Sequence, residues 1–167
     1  GLEELIQISK VRMMYAVIRI RGTVGVPRRT EYTLNLLRLK RLYWCNILPE
    51  SESIKGMLEK VKDFITYGEI DRETLIHLLR KRLRMKGNGN KKVSEEDLKR
   101  ITGFNSFEEF ADALILGKVK LKQFDAFFPF FRLRPPSKGL KSIKEHWPKG
   151  DLGYRGKEIN ELLKRMI

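Results

Sequence analysis

Residues Tyr15-Ala-Val-Ile-Arg-Ile-Arg21 combine aromatic and β-branched side chains and are followed by Gly22, a pattern that predicts a β-strand. Tyr43-Trp-Cys-Asn-Ile-Leu48 has the same character and stops at Pro49, so it predicts a second strand. Residues 65–70, Ile-Thr-Tyr-Gly-Glu-Ile, predict a short third strand. Three short strands separated by longer segments indicate a small sheet with helices packed on it.

The segments between these strands have helical features. Pro27 suits the first turn of a helix, because its missing N–H costs no hydrogen bond there, and we expect that helix to run to about Leu42. A second helix follows a capping serine at position 51 or 53. Its apolar side chains fall on one helical face: Ile54, Met57, Leu58, Val61 and Ile65. Residues 14–70 therefore predict an α+β core in the order β-α-β-α-β, preceded by an N-terminal extension, residues 1–13.

Residues 71–117 predict a helical section. Asp71 caps its first helix, and Ser94 opens a short second helix that ends near Gly103. Ser106-Phe-Glu-Glu109 has the spacing of a capping box and opens a third helix, which Gly117 stops.

Residues 118–167 form the fourth predicted region, a basic extended segment with a C-terminal helix. Five phenylalanines crowd around Pro129, and residues 132–150 are basic, rich in proline and glycine, and without apolar period. We expect residues 132–150 to be mobile in the free protein, with fast amide exchange across residues 134–150, and to become ordered on binding RNA. The segment has little apolar surface of its own to offset the entropy of ordering. Ile159, Leu162, Leu163 and Met166 mark the helix.

Positive charge is the strongest compositional signal in the 167 residues. Thirty-five Lys and Arg face 21 Asp and Glu, which gives a net charge of +14. The excess lies in three windows, residues 19–41, 80–92 and 132–149, which carry net charges of about +6, +7 and +5, while the remainder is slightly acidic. Several basic runs on a non-basic background favour a surface that contacts a polyanion at several points, with nucleic acid before an anionic membrane.

Two segments suggest how a nucleic acid could be held. The loop Gly22-Thr-Val-Gly-Val-Pro27 leads into a helix N-terminus with Arg28 and Arg29 beside it, which suits a phosphate, although a plain strand-to-helix turn explains the same residues. The phenylalanines of residues 124–131 could stack on bases or could simply anchor the extended segment to the core.

Residues for other chemistry are scarce. His77 and His146 stand apart from any second ligand, and Cys45 lies in a predicted strand as a small core residue. No phosphate-binding glycine motif is complete, and no apolar run approaches the ~20 residues of a membrane span. A single cysteine indicates a reducing, intracellular compartment. We therefore expect no catalytic activity, cofactor, metal or small-molecule substrate.

Two alternative functions remain open at this point. Residues 94–116 predict two short helices joined by a glycine-containing turn, as in a helix-turn-helix DNA-binding regulator, although the second helix is acidic and has no base-reading side chain. An RNA-processing enzyme would need a catalytic set that the sequence does not offer.

Four stretches resemble a known family. They are Val17-Ile-Arg-Ile-Arg-Gly22, residues 56–68 (Gly-Met-Leu-Glu-Lys-Val-Lys-Asp-Phe-Ile-Thr-Tyr-Gly), Phe131-Arg-Leu-Arg-Pro-Pro136 and, most specifically, Leu152-Gly-Tyr-Arg-Gly-Lys-Glu-Ile-Asn-Glu-Leu-Leu-Lys-Arg-Met166. The sequence resembles ribosomal protein thirty of the large subunit in its long archaeal–eukaryotic form, called protein seven in eukaryotes. Residues 1–13 and the Glu145-His-Trp147 segment depart from the family pattern.

The resemblance implies a ferredoxin-like core and a structural role in the cytoplasmic ribosome, with large-subunit rRNA and neighbouring large-subunit proteins as partners and no membrane. The basic windows and the C-terminal motif supply the expected RNA contacts: Arg19, Arg21, Arg28, Arg29, Arg80, Lys81, Arg84, Lys86, Lys91, Lys92, Arg132, Arg134, Lys138, Lys141, Lys144, Lys149, Tyr154 and Arg155.

Overall fold

The strands form one mixed sheet at the centre of the molecule. The computed structural model describes Gly1, residues 14–87 and residues 89–167, so the predicted extension lies outside the described residues except for Gly1. The five strands are β1 (Met14–Arg19), β2 (Trp44–Pro49), β3 (Ile65–Glu69), β4 (Phe131–Arg132) and β5 (Gly153–Tyr154), in the order β4-β2-β1-β3-β5. Neighbours are antiparallel except β3 and β5, which are parallel. The three predicted strands are confirmed, and two short edge strands are added.

Six α-helices lie within the described residues, in the predicted order. They are α1 (Arg28–Leu36), α2 (Glu52–Lys60), α3 (Arg72–Arg82), α4 (Glu95–Thr102), α5 (Phe107–Ile115) and α6 (Ile159–Met166). The first helix is shorter than predicted, because the backbone turns left-handed at Arg38, with φ of 62°. The turn lets the Leu39 N–H bond to the Leu34 carbonyl and buries the Leu39 side chain completely.

Both faces of the sheet are covered. Along β1, Tyr15 and Val17 face one hydrophobic core, while Ala16 and Ile18 face the other. Helices α1 and α2 fill the first core with Leu34 and Leu58, and Leu37 joins them directly after α1. Helices α3, α5 and α6 fill the second with side chains that include Leu75, Phe110 and Leu162. The predicted sheet with two packed helices is thus confirmed as one half of a three-layer α+β arrangement, which explains why every residue of β1 is buried.

Local capping follows the sequence closely. Ser51, Asp71, Ser94 and Ser106 each accept a hydrogen bond from a backbone N–H in the first turn of the helix that follows. The reciprocal capping box forms at Ser94, whose backbone N–H donates to the Asp97 carboxylate. The box predicted at Ser106 is incomplete, since the Glu109 carboxylate accepts from the N–H of Asn105 instead.

The basic segment 132–150 has little regular structure, as predicted, but its course is fixed by specific hydrogen bonds. The N–H groups of Arg134 and Ser137 donate to the carbonyls of Met166 and Arg165. The Arg165 guanidinium donates in turn to the carbonyls of Ser137 and Gly139. These contacts with the C-terminal helix run against the expected mobility of the free segment. Across the described ranges, no helix has the length and apolar character needed to cross a membrane.

Candidate nucleic-acid interface

The loop before α1 presents an open helix N-terminus. Residues 22–25 are exposed, and Pro27 precedes the helix without a side-chain cap for its first N–H groups. Arg28 and Arg29 are exposed at this end, whereas the acid of the first turn, Glu31, pairs with Arg19 across 3.4 Å. Backbone N–H groups, the helix dipole and two cations that pair with no carboxylate among residues 14–87 and 89–167 therefore share one small surface that suits a phosphate.

Arg19 is a correction to the predicted contacts, because its side chain is fully buried. Its guanidinium donates to the carbonyls of Arg21, Gly22, Leu39 and Lys40 at 2.8–3.2 Å and pairs with Glu31. The side chain thus joins the loop before α1 to the turn after it and has no surface for RNA. Arg21 stays partly exposed, with its guanidinium 5.0 Å from the Phe64 ring centroid.

The second basic window extends from the end of α3 into a hairpin. Residues 84 and 92 pair as an antiparallel bridge, so Lys86, Lys91 and Lys92 sit exposed beside the turn. Arg80 is engaged by Glu108 and lies over the Phe107 ring, while Lys91 approaches Asp97 at 3.7 Å. Lys81, Lys86 and Lys92 are exposed and pair with no carboxylate in the part of the chain that the structure describes.

The third window carries its cations on the surface and is supported from beneath by one buried carboxylate. All six of its predicted contacts are exposed: Arg132, Arg134, Lys138, Lys141, Lys144 and Lys149. The Asp151 carboxylate accepts from the backbone N–H groups of Lys141 and Ser142, which fixes the loop that carries these lysines.

Arg155 is the second correction, because it is only 5% exposed. Its guanidinium pairs with Asp151 at 2.9 Å, donates to the Thr66 hydroxyl at 2.8 Å and lies 4.5 Å from the Trp147 ring centroid. Burial lowers its pKa, although the Asp151 carboxylate opposes that shift. Arg155 therefore fixes the 141–151 loop to β3 and does not reach the surface.

Tyr154 is half exposed, but its hydroxyl is already used. It donates to the Glu69 carboxylate, and burial together with that bond raises the pKa of the hydroxyl. Only the ring of Tyr154, which packs beside Tyr67, remains available for an RNA contact.

The tertiary structure brings the three basic windows together around residues 128–134. The Tyr43 carbonyl, just after the first window, accepts from the Leu133 N–H, and the Arg84 carbonyl accepts from the Phe128 N–H. Arginines of the second and third windows meet at the end of α6, where the Arg82 guanidinium donates to the Ile167 carbonyl and the Arg134 N–H donates to the Met166 carbonyl. Burial lowers the pKa of Arg82, and the positive charges of Arg134 and Arg84 lower it further. Like charges gathered in this way favour a polyanionic partner.

The helix-turn-helix alternative fails on the position of α5. Four of its side chains, Phe107, Phe110, Ala111 and Leu114, are buried in the core. Its acids Glu108 and Asp112 pair with the α3 residues Arg80 and Arg72. A recognition helix must offer a free polar face to the major groove. Helix α5 packs its apolar face into the core, and Glu108 and Asp112 on its other side pair with α3.

The cysteine and the two histidines considered as catalytic candidates lie apart from one another, each in different surroundings. Cys45 is fully buried, which raises the pKa of its thiol and keeps it protonated, so the prediction of a core residue is confirmed. The His146 ring contacts the Asp63 carboxylate at 2.8 Å on the surface. Burial and the charges of Lys81 and Arg80 lower the pKa of His77.

Sequence reasoning left out Trp44 and Asp151. Trp44 stacks on Phe130 beside Arg132, and Asp151 organises the basic loop. The sequence indicated a role for Asp151 only by its position, as an acid between Gly150 and the stretch that begins at Leu152. No local feature of the sequence indicated that Trp44 contacts Phe130, more than 80 positions away.

Comparisons with known proteins show which family the chain resembles over most of its length. Residues 15–65 match the model of the family described as ribosomal protein L30p/L7e. The chain is similar to the large ribosomal subunit protein uL30 of Archaeoglobus fulgidus, with 50% identity over 153 residues, 92% of this chain and 99% of that protein. The proteins of the same name from Nanoarchaeum equitans and Thermoplasma volcanium are 53% and 48% identical, again over 92% of this chain and over 99% and 93% of theirs.

Proposed function

The chain belongs to the ribosomal protein L30p/L7e family, and from that premise we propose how it serves the large ribosomal subunit. It is a structural constituent of the large subunit of the cytoplasmic ribosome, and rRNA and neighbouring ribosomal proteins are its partners. Its contribution is to hold segments of large-subunit rRNA together by neutralising their phosphates, and it carries out no reaction of its own.

The meeting of the three basic windows carries this proposal. Because Tyr43, Arg84 and the 128–134 segment are joined by backbone hydrogen bonds, cations distant in sequence act as one surface. The α1 N-terminus with Arg28 and Arg29, and the loop that carries Lys141 and Lys144, form two further contact points. With Arg19 and Arg155 withdrawn, the other predicted side chains remain the proposed contacts.

A salt titration tests the proposal directly. Binding of the full chain to purified archaeal large-subunit rRNA should weaken by about 10³–10⁵-fold between 50 and 200 mM salt if roughly 6–10 phosphates are neutralised, because each contact releases counterions. Affinity that stays flat over this range would contradict the proposed interface. Sedimentation with large subunits on a sucrose gradient, compared with free protein, provides an independent check of the assignment to that particle.

A further inference from the structure

Four side chains form a compact cluster at the β4 edge of the sheet. The rings of Trp44 and Phe130 stack with centroids 4.2 Å apart and planes 12° from parallel. Phe128 lies 5.5 Å from Phe130. The Arg132 guanidinium carbon lies 4.8–5.6 Å from the centroids of all three rings. We call these residues the aromatic–arginine cluster.

Anchoring of the chain does not account for this cluster. Phe127 and Phe131, which flank it, are 1% and 0% exposed and already attach the segment to the core. Phe128, Phe130 and Trp44 are only half buried, and Arg132 is exposed. Anchoring side chains thus point inward, while their neighbours around Pro129 build a separate aromatic surface at the edge.

The charge at this surface is uncompensated. Arg132 makes no ion pair with any carboxylate of the described ranges 14–87 and 89–167. The Phe128 N–H donates to the Arg84 carbonyl, and, besides burial, the positive charges of Arg134 and Arg84 both act on Arg82 and lower its pKa. A flat guanidinium over aromatic rings attracts an electron-rich planar group on its outer side, and the surrounding arginines attract phosphate.

We propose that the aromatic–arginine cluster binds an unpaired nucleotide of RNA, whose base stacks on Arg132 and the neighbouring rings while adjacent arginines hold its phosphates. The inference rests on the proposed function and adds to it a contact that is not purely electrostatic. Single-stranded bases in loops and bulges are the RNA groups that stack on aromatic side chains and on guanidinium planes. A duplex, whose bases are already stacked, would gain nothing from these rings.

Two conservative variants of the full chain separate stacking from charge. Phe130→Leu removes a ring and keeps an apolar side chain, and Arg132→Lys keeps the charge and loses the plane. Each should weaken binding to purified archaeal large-subunit rRNA by about 5- to 150-fold, the range found when one stacked base loses its aromatic partner, with an unchanged salt slope. Tyr32→Leu and Arg38→Lys, exposed positions outside the cluster, are matched controls that should bind as the unmodified chain does.

Ultraviolet crosslinking of the unmodified chain to the same rRNA requires no variant. Crosslinks within residues 128–132 or at Trp44, mapped by mass spectrometry, are the expected result. Unchanged rRNA affinity of both cluster variants would overturn the inference while leaving the proposed function intact, whereas failure of the unmodified chain to bind rRNA would overturn the proposed function itself. Normal rRNA affinity with reduced uptake into large subunits would mean that a neighbouring protein covers the cluster, and would also overturn the inference.

Discussion

Residues 14–70 and residues 132–155 both present basic loops fixed by one buried arginine, but they support those loops differently. In the first region, Arg19 ties together a loop and a turn that already lie between strands and helices. In the second, Arg155 and Asp151 fix a long irregular loop that has no helix of its own. Arg19 therefore stabilises the core itself, whereas the Asp151–Arg155 pair mainly stabilises the loop.

The difference predicts a hierarchy of effects. A loop between strands and helices is held in place by many contacts at once, because the hydrogen bonds and apolar contacts of regular elements form together. An irregular segment depends on a few side-chain-to-backbone bonds, so it can open locally while the sheet stays intact. The four predictions below measure this contrast.

Arg19→Met should have the largest effect on the free energy of unfolding. The change leaves four carbonyls without their donor, and it also removes the partner of the partly exposed Glu31. We expect a loss of about 3–5 kcal/mol, because buried acceptors that lose their donors cost about 1–3 kcal/mol each. Denaturant unfolding would measure the loss. Arg21→Met, two residues away and partly exposed, is the control and should cost less than about 1 kcal/mol. Equal losses would show that burial does not distinguish the two arginines.

Asp151→Asn should act mainly on the loop. The amide weakens the bonds from the N–H groups of Lys141 and Ser142 and leaves Arg155 without its charge partner, at about 2–3 kcal/mol. Hydrogen exchange should show protection of residues 141 and 142 in the unmodified chain and its loss in the variant, while β1 stays protected.

Asp125→Asn, an exposed acid, is the matched control and should change neither pattern. Fast exchange of residues 134–150 in the unmodified chain would restore the expectation of a mobile segment. Loss of protection throughout β1 in Asp151→Asn would remove the contrast between the two regions.

The third prediction compares the two regions as RNA contacts. Replacing both Arg28 and Arg29 with Ala should leave the free energy of unfolding within about 0.5 kcal/mol, because both are exposed and away from packed features. The slope of log affinity for rRNA against log salt should fall by about 2, roughly one for each lost phosphate contact. The double variant Lys138→Ala with Lys144→Ala should give a similar change. A lowered stability with unaltered binding would mean that these side chains serve the fold.

His146→Ala should have the smallest effect, although His146 joins the two regions directly. Its ring meets the Asp63 carboxylate on the surface, where such pairs contribute no more than about 1 kcal/mol. A double-mutant cycle with Asp63→Ala, followed by denaturant unfolding, would measure the coupling. Coupling well above 1 kcal/mol would show that the surface contact, rather than the buried Asp151–Arg155 pair, holds the loop to the core.

Much of the fold was predictable because its signals are local. The aromatic and β-branched residues of 15–21, the serine before α2 and the spacing of Ile159 and Leu162 are all signals within a few positions, and the elements they predict are confirmed. The end of α1 was predicted six residues too late. The leucines continue past Leu36 in a pattern that suggests a longer helix. A left-handed turn at Arg38 buries Leu39 instead, and the spacing of apolar residues does not indicate such a turn.

The sequence by itself determined the first three strands and the six helices in chain order, the residues that cap four of the helices, and the basic character of three windows. Each of these features depends only on residue type and short spacing. Only the tertiary structure decided which arginines face outward. Arg19 and Arg21 look alike in sequence, yet one is buried, and Arg155 meets Thr66 across 89 positions of chain. The meeting of Trp44 with Phe130, and the covering of the second sheet face, likewise depend on contacts between distant segments, because burial belongs to the packed molecule and not to any stretch of residues.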